Sequence, residues 1–81
     1  MYLRFGDSRI DGGTSEHYAW STKDGWQVSW LPDRYFDQNG AITAMMIAEA
    51  YSESPPPSSP VWIHVKAWKD EIGLTDMDRP A

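Results

Sequence analysis

Two short stretches alternate in character on either side of Lys23-Asp24-Gly25. Tyr18, Trp20 and Thr22 interleave with Ala19 and Ser21, and Trp26, Val28 and Trp30 interleave with Gln27 and Ser29. Period-two patterning on both sides of a glycine-containing turn predicts a β-hairpin with one buried and one exposed face. Register decides which residues are buried, because a slip of one residue exchanges the faces. A two-residue Asp24-Gly25 loop sets Trp20 opposite Ser29. A three-residue loop, with Gly25 left-handed, sets Thr22 opposite Trp26, Trp20 opposite Val28 and Tyr18 opposite Trp30. Only the second gathers the large groups together. The expected buried face is therefore Tyr18, Trp20, Val28 and Trp30, backed by Ala19, Ser21, Gln27 and Ser29.

The chain needs such a face. At 81 residues it is one short domain, 1–81, with little core to spare, and it has no cysteine with which to staple itself. His17 and His64 are the only nitrogen donors for a structural zinc, too few to expect one. Large side chains are the remaining means of stabilisation, and the chain carries five Trp, four Tyr and two Phe.

Upstream, Tyr2-Leu3-Arg4-Phe5 reads as a strand that turns at Gly6-Asp7, with Ser8-Arg9-Ile10 returning beside it and Asp11-Gly12-Gly13 breaking the chain. Downstream, Leu31-Pro32-Asp33 ends the hairpin, since proline cannot donate to a central ladder, and Arg34-Tyr35-Phe36 suits a further short strand. Asp37 is placed to cap a helix running from residue 38 to about residue 51, with Phe36 stapled against Ala41. Between Ala41 and Tyr51 only Thr43 and Glu49 are polar, so this helix is expected to be central to the fold or shared with a partner. Residues 52–60, Ser-Glu-Ser-Pro-Pro-Pro-Ser-Ser-Pro, form a stiff extended connector. Ser59 and Pro60 then announce a second helix with the stripe Val61, Val65, Trp68 and Ile72, ended by Gly73. Residues 75–81 read as a polar, frayed tail.

The segment Gly25-Trp26-Gln27-Val28-Ser29-Trp30-Leu31-Pro32, followed by Ala41-Ile42-Thr43-Ala44-Met45, resembles a pattern in small uncharacterised proteins of actinobacteria and their phages. The resemblance covers about a quarter of the chain. It implies a phage or mobile-element accessory protein and assigns no activity and no site residue.

No residue pattern assembles a catalytic centre. Glu16 and His17 are adjacent on an extended segment and point to opposite faces, and His64 is not one helical turn from Asp70 or Glu71. Both histidines are expected at the surface. No serine sits in a nucleophile elbow, Gly12-Gly13 lacks the lysine and helix of a phosphate loop, and the acidic residues form no calcium loop. No catalytic, cofactor-binding or metal-binding residue is expected. The net charge of −5 and seven scattered basic residues argue against sequence-independent nucleic-acid binding and against anionic membranes. No run approaches the length of a membrane span and no signal sequence opens the chain, so a cytoplasmic location is expected.

The expected fold is α+β: a small antiparallel sheet of three or four strands packed by one central helix, with a second, C-terminal helix after the proline-rich bend. Both helices carry more apolar surface than one sheet face covers. Trp62, Ile63, Ala67 and Leu74 are the candidate partner-binding patch, for a homo-oligomer or a host protein. The expected function is a non-enzymatic protein-interaction protein. The alternative is a nucleic-acid-linked regulator, either a weak DNA binder or an acidic DNA mimic.

Overall fold

A computed structural model describes residues 3–80. Five strands, β1 (Leu3–Phe5), β2 (Arg9–Gly12), β3 (Tyr18–Thr22), β4 (Gly25–Val28) and β5 (Leu31–Phe36), precede α1 (Gln38–Glu53) and α2 (Val61–Glu71). The strands form one antiparallel meander in the order β1-β2-β3-β4-β5. The α+β class, the central helix and the second helix after the prolines agree with the sequence. The strand number is corrected from three or four to five. Asp11 and Gly12 extend β2 rather than breaking it, and Leu31 to Phe36 is one strand. Pro32 is tolerated there because β5 is a sheet edge. Tyr2 and Ala81 lie outside the described residues.

The hairpin register is neither of the two expected. Thr22 pairs with Gly25, Ser21 with Trp26, Trp20 with Gln27 and Ala19 with Val28, which leaves only Lys23 and Asp24 in the loop. Thr22 Oγ1 closes this loop by donating to the Gly25 carbonyl at 2.8 Å and accepting the Asp24 N–H at 3.1 Å. Gly25 supplies a positive φ of 131° at the turn, a backbone conformation suited to glycine. The faces are thereby exchanged on β3. Ala19 joins Val28 under α1, both fully buried, while Tyr18 and Trp20 turn to the opposite side.

The physical reason lies in the helix. Ala41, Ala44 and Ala48 on α1 are also fully buried. A buried Ala19 leaves the space between sheet and helix shallow, and a tryptophan in its place would hold the two apart. Trp30 is used at the edge instead, in the turn before β5. It packs half-buried against the core and its indole N–H donates to the Ala44 carbonyl at 3.2 Å.

Asp37 caps α1 as expected, its carboxylate accepting the Gly40 N–H at 2.7 Å. The helix is apolar on nearly every side because it is a middle layer: the sheet covers one side and α2 packs on the other. Ile47 and Ala50, beside Met45, are thus buried within the chain. The Ser59 hydroxyl accepts the Val61 N–H at 3.3 Å at the start of α2, and Gly73 follows its end with φ 77°. Beyond it, Asp78 accepts the Thr75 N–H at 2.8 Å and Thr75 accepts the Asp78 N–H at 3.1 Å, turning the tail back.

Candidate functional site

Among the described residues no helix packs on the face of the sheet opposite α1. Alternation along the paired strands places Arg4, Arg9, Asp11, Tyr18, Trp20 and Gln27 there. Arg9 Nε donates to Asp11 Oδ1 at 2.9 Å, and its guanidinium carbon lies 4.5 Å from the centroid of the Tyr18 ring. Tyr18 in turn lies 5.4 Å from Trp20, tilted by 37°. The result is a strip of guanidinium, phenol and indole running across β2 and β3. Tyr18 is exposed and Trp20 half-buried, and the Trp20 indole N–H has no hydrogen-bond partner among the described residues. Cation–π and ring–ring contacts hold these groups in place at small entropic cost.

At Tyr18 the strip meets a polar cleft of about 680 Å³, lined by Ser15, His17, Tyr18, Ser29, Tyr51 and Pro80 among others. Its wall is the loop between β2 and β3, and Glu49 on α1 builds that loop. Glu49 is fully buried. Its Oε1 accepts the N–H groups of Gly13 (3.0 Å) and Thr14 (2.8 Å), and its Oε2 accepts that of Ser15 (2.7 Å). Burial raises the carboxyl pKa, but the N–H donors and the Ser15 hydroxyl outweigh it and hold the group below its ordinary range. Gly12, at the foot of the loop, is buried. A Cβ there would overlap Ser15 Oγ and stand 2.8 Å from the Ser15 carbonyl oxygen and 2.9 Å from Glu49 Oε2.

In the cleft, His17 Nδ1 lies 2.9 Å from Ser29 Oγ, which also accepts the Tyr18 N–H at 3.0 Å. His17 is half-buried rather than fully exposed. The pairing has the composition of a serine–histidine dyad. The adjacent backbone donors suited to an oxyanion, the N–H groups of residues 13–15, are already bound to Glu49. The Ser29 hydroxyl instead ties the start of β3 to the end of β4. His64 is exposed and stacks on Trp68, centroids 6.1 Å apart. Among the described residues no group of three or more His, Asp or Glu is placed to hold a metal ion.

The four residues expected to form a partner patch do not share a surface. Ile63 (73 % exposed) and Ala67 are on the outside of α2. Trp62 is half-buried against Tyr51, edge to face at 5.1 Å, and its indole N–H donates to the Pro56 carbonyl at 3.0 Å. Leu74 is a core residue, 5 % exposed, because the turn at Gly73 folds it back onto the helices. The open strip of Arg9, Tyr18 and Trp20 escaped sequence reasoning because the alternation of Tyr18 and Trp20 identifies a face without saying which side the helix covers.

The chain matches no protein-family model, no curated protein and no solved structure. No helix among the described residues is long and apolar enough to cross a membrane.

Proposed function

We propose that this chain is a non-enzymatic protein-interaction domain whose contact surface is the open face of its sheet. The observation that carries the reading is the Arg9–Tyr18–Trp20 strip, preorganised and uncovered on the side away from α1. Arginine, tyrosine and tryptophan are the residue types that dominate interface energetics, since each presents a large rigid surface with a polar handle. The N–H groups of Gly13, Thr14 and Ser15, beside the His17–Ser29 contact, are engaged by Glu49, which supports a binding role over a hydrolytic one. The segments at residues 25–32 and 41–45 support a phage or mobile-element setting, in which the domain contacts a host protein or another copy of itself in the cytoplasm.

The test is affinity capture from the host with the parent chain and with a Tyr18→Ala, Trp20→Ala double variant. A partner retained by the parent and lost from the variant carries the reading, whereas equal recovery by both overturns it.

The same strip supports a second reading, contact with single-stranded nucleic acid, because every base can stack on an exposed ring beside an arginine. The net charge of −5 on the chain weighs against it, although β1 and β2 place two arginines and one aspartate on this face. Salt-sensitive binding of an oligonucleotide at micromolar concentration, lost in the double variant, would favour this reading.

A further inference from the structure

The seven basic residues are scattered along the sequence, but the fold gathers three of them in the helix layer. A cavity of about 270 Å³ beside α2 is lined by Lys66, Lys69, Arg79, Asp76, Tyr51 and Trp62 among others. Lys66 and Lys69 are three residues apart on α2 and so share a side of it. Arg79 arrives with the tail, which turns back through the paired Thr75 and Asp78.

Lys69 is 4 % exposed, an unusual position for an ammonium, since burial disfavours a charge that other groups do not stabilise. Its Nζ donates to the Tyr51 hydroxyl at 2.7 Å and lies 5.1 Å from the centroid of that ring. The phenol is one neutral acceptor for a group with three donors. Between described residues the one ion pair is Arg9–Asp11, so no carboxylate makes salt-bridge contact with Lys66, Lys69 or Arg79. Asp78 lies outside the lining; hydrogen bonds from Thr75, and more weakly the charges of Arg34 and Lys69, hold its carboxyl below the ordinary range. Asp76 is the one acidic residue in the lining, so three positive charges meet one negative and two remain.

We infer that this cavity binds a phosphoryl group, as free phosphate or as a phosphate monoester. The charge fits, because such a group carries about −1.5 to −2 at neutral pH and offers three or more acceptor oxygens. The donors fit as well. Lys69 has N–H bonds beyond the one to Tyr51, the phenol proton remains to donate, and the planar Arg79 guanidinium suits two oxygens of one phosphate. The cavity is smaller than the roughly 300–1,000 Å³ of sites that enclose drug-sized ligands, so it suits an oxyanion head and not the body of a large molecule. The half-buried Tyr51 and Trp62, edge to face at 5.1 Å, form an apolar wall that strengthens charge contacts by excluding water. The site shares no residue with the Arg9–Tyr18–Trp20 strip and does not depend on the protein contact proposed for it.

Titration of the full chain with inorganic phosphate at fixed ionic strength, followed by phosphorus NMR and by thermal melts, tests this. Phosphate should bind at millimolar concentration or below and raise the melting temperature, while acetate at equal ionic strength should not. Lys66→Gln and Arg79→Gln, both at exposed positions, should each weaken binding about tenfold and leave the melts without phosphate unchanged. Asp76→Asn, which removes the repelling charge, should strengthen binding about threefold. Lys69→Met should abolish it. O-phosphoserine separates the two sources: binding at least as tight as that of phosphate marks the group as part of a larger molecule, weaker binding marks the free ion, and either result carries the inference. Stabilisation by acetate equal to that by phosphate overturns the choice of a phosphoryl group. No binding of phosphate, or binding indifferent to both Lys66→Gln and Lys69→Met, overturns the site.

Discussion

The Ser15 N–H donates to Glu49 Oε2 at 2.7 Å, joining the loop after β2 to the middle of an otherwise apolar helix. With Gly13 and Thr14 on the other oxygen, one carboxylate satisfies three successive backbone donors. Glu49→Ala leaves those donors without their acceptor and opens a cavity beneath the loop. A loss of about 3–5 kcal/mol is expected, as for other broken buried charge contacts. Glu49→Gln keeps the shape and one acceptor oxygen and should cost about 1.5–3 kcal/mol. Urea unfolding of both variants checks the order; equal losses would contradict the role given to the charge.

The same contacts set a pH dependence. Because the folded state holds the Glu49 carboxyl below its ordinary value of 4.5, its contribution is complete above that value. It is lost as the pH falls from there through the folded-state pKa, since the unfolded chain takes up the proton first. The stability difference between parent and Glu49→Gln should therefore shrink on acidification from about pH 5 to about pH 3. Melting temperatures of the two proteins across that range report it, and a difference that widens would contradict the depressed pKa.

Gly12 admits no side chain without disturbing this arrangement. Gly12→Ala places a methyl group against Ser15 and Glu49 Oε2 and should destabilise by about 1–3 kcal/mol, the usual cost of overpacking. Gly13→Ala, on the exposed neighbour, should cost less. Thermal melts of the pair distinguish a packing constraint at Gly12 from general stiffening of the loop.

The two half-buried tryptophans at positions 20 and 30 should behave oppositely. Trp30 packs on the core and donates to the Ala44 carbonyl, so Trp30→Ala should cost about 3 kcal/mol and Trp30→Phe about 1 kcal/mol. Trp20 lies on the open face, and Trp20→Ala should change stability by no more than about 1 kcal/mol while weakening partner contact. Chemical denaturation measures both. A large stability loss in Trp20→Ala would return it to a structural role.

Lys69 is buried with its ammonium 2.7 Å from the Tyr51 hydroxyl and 5.1 Å from the ring centroid. Tyr51→Phe removes this acceptor and leaves the ammonium in a poorly hydrated position, at an expected cost of about 1.5–3 kcal/mol. Lys69→Met keeps the stem and removes the charge, so it should cost less, as replacing a buried ion by an apolar group of similar shape often does. Denaturant midpoints of the two variants test the asymmetry.

Local signals determined the elements of this protein. Asp37 fixes the start of α1, Ser59 and Pro60 the approach to α2, and Gly73 its end, because capping and turn chemistry act over a few residues and are written in order along the chain. The all-round apolarity of residues 41–51 likewise announced a central helix, and α1 is the middle layer. What only the tertiary structure decided is which surfaces meet. Tyr18 and Trp20 look like a core face by size, yet the register buried Ala19 on the side of α1 and sent the aromatics to the other side. Leu74 reads as surface on a helical projection, but a turn at Gly73 removes it from the helix and buries it. Glu49 stands out in the sequence only as one of two polar residues in the apolar run of residues 41–51, and a loop distant in sequence wraps its amides around it. Hydrophobicity along a chain ranks residues for burial, but the space available between elements is a property of their packing, and that space decided which residues were buried and which were left to form a site.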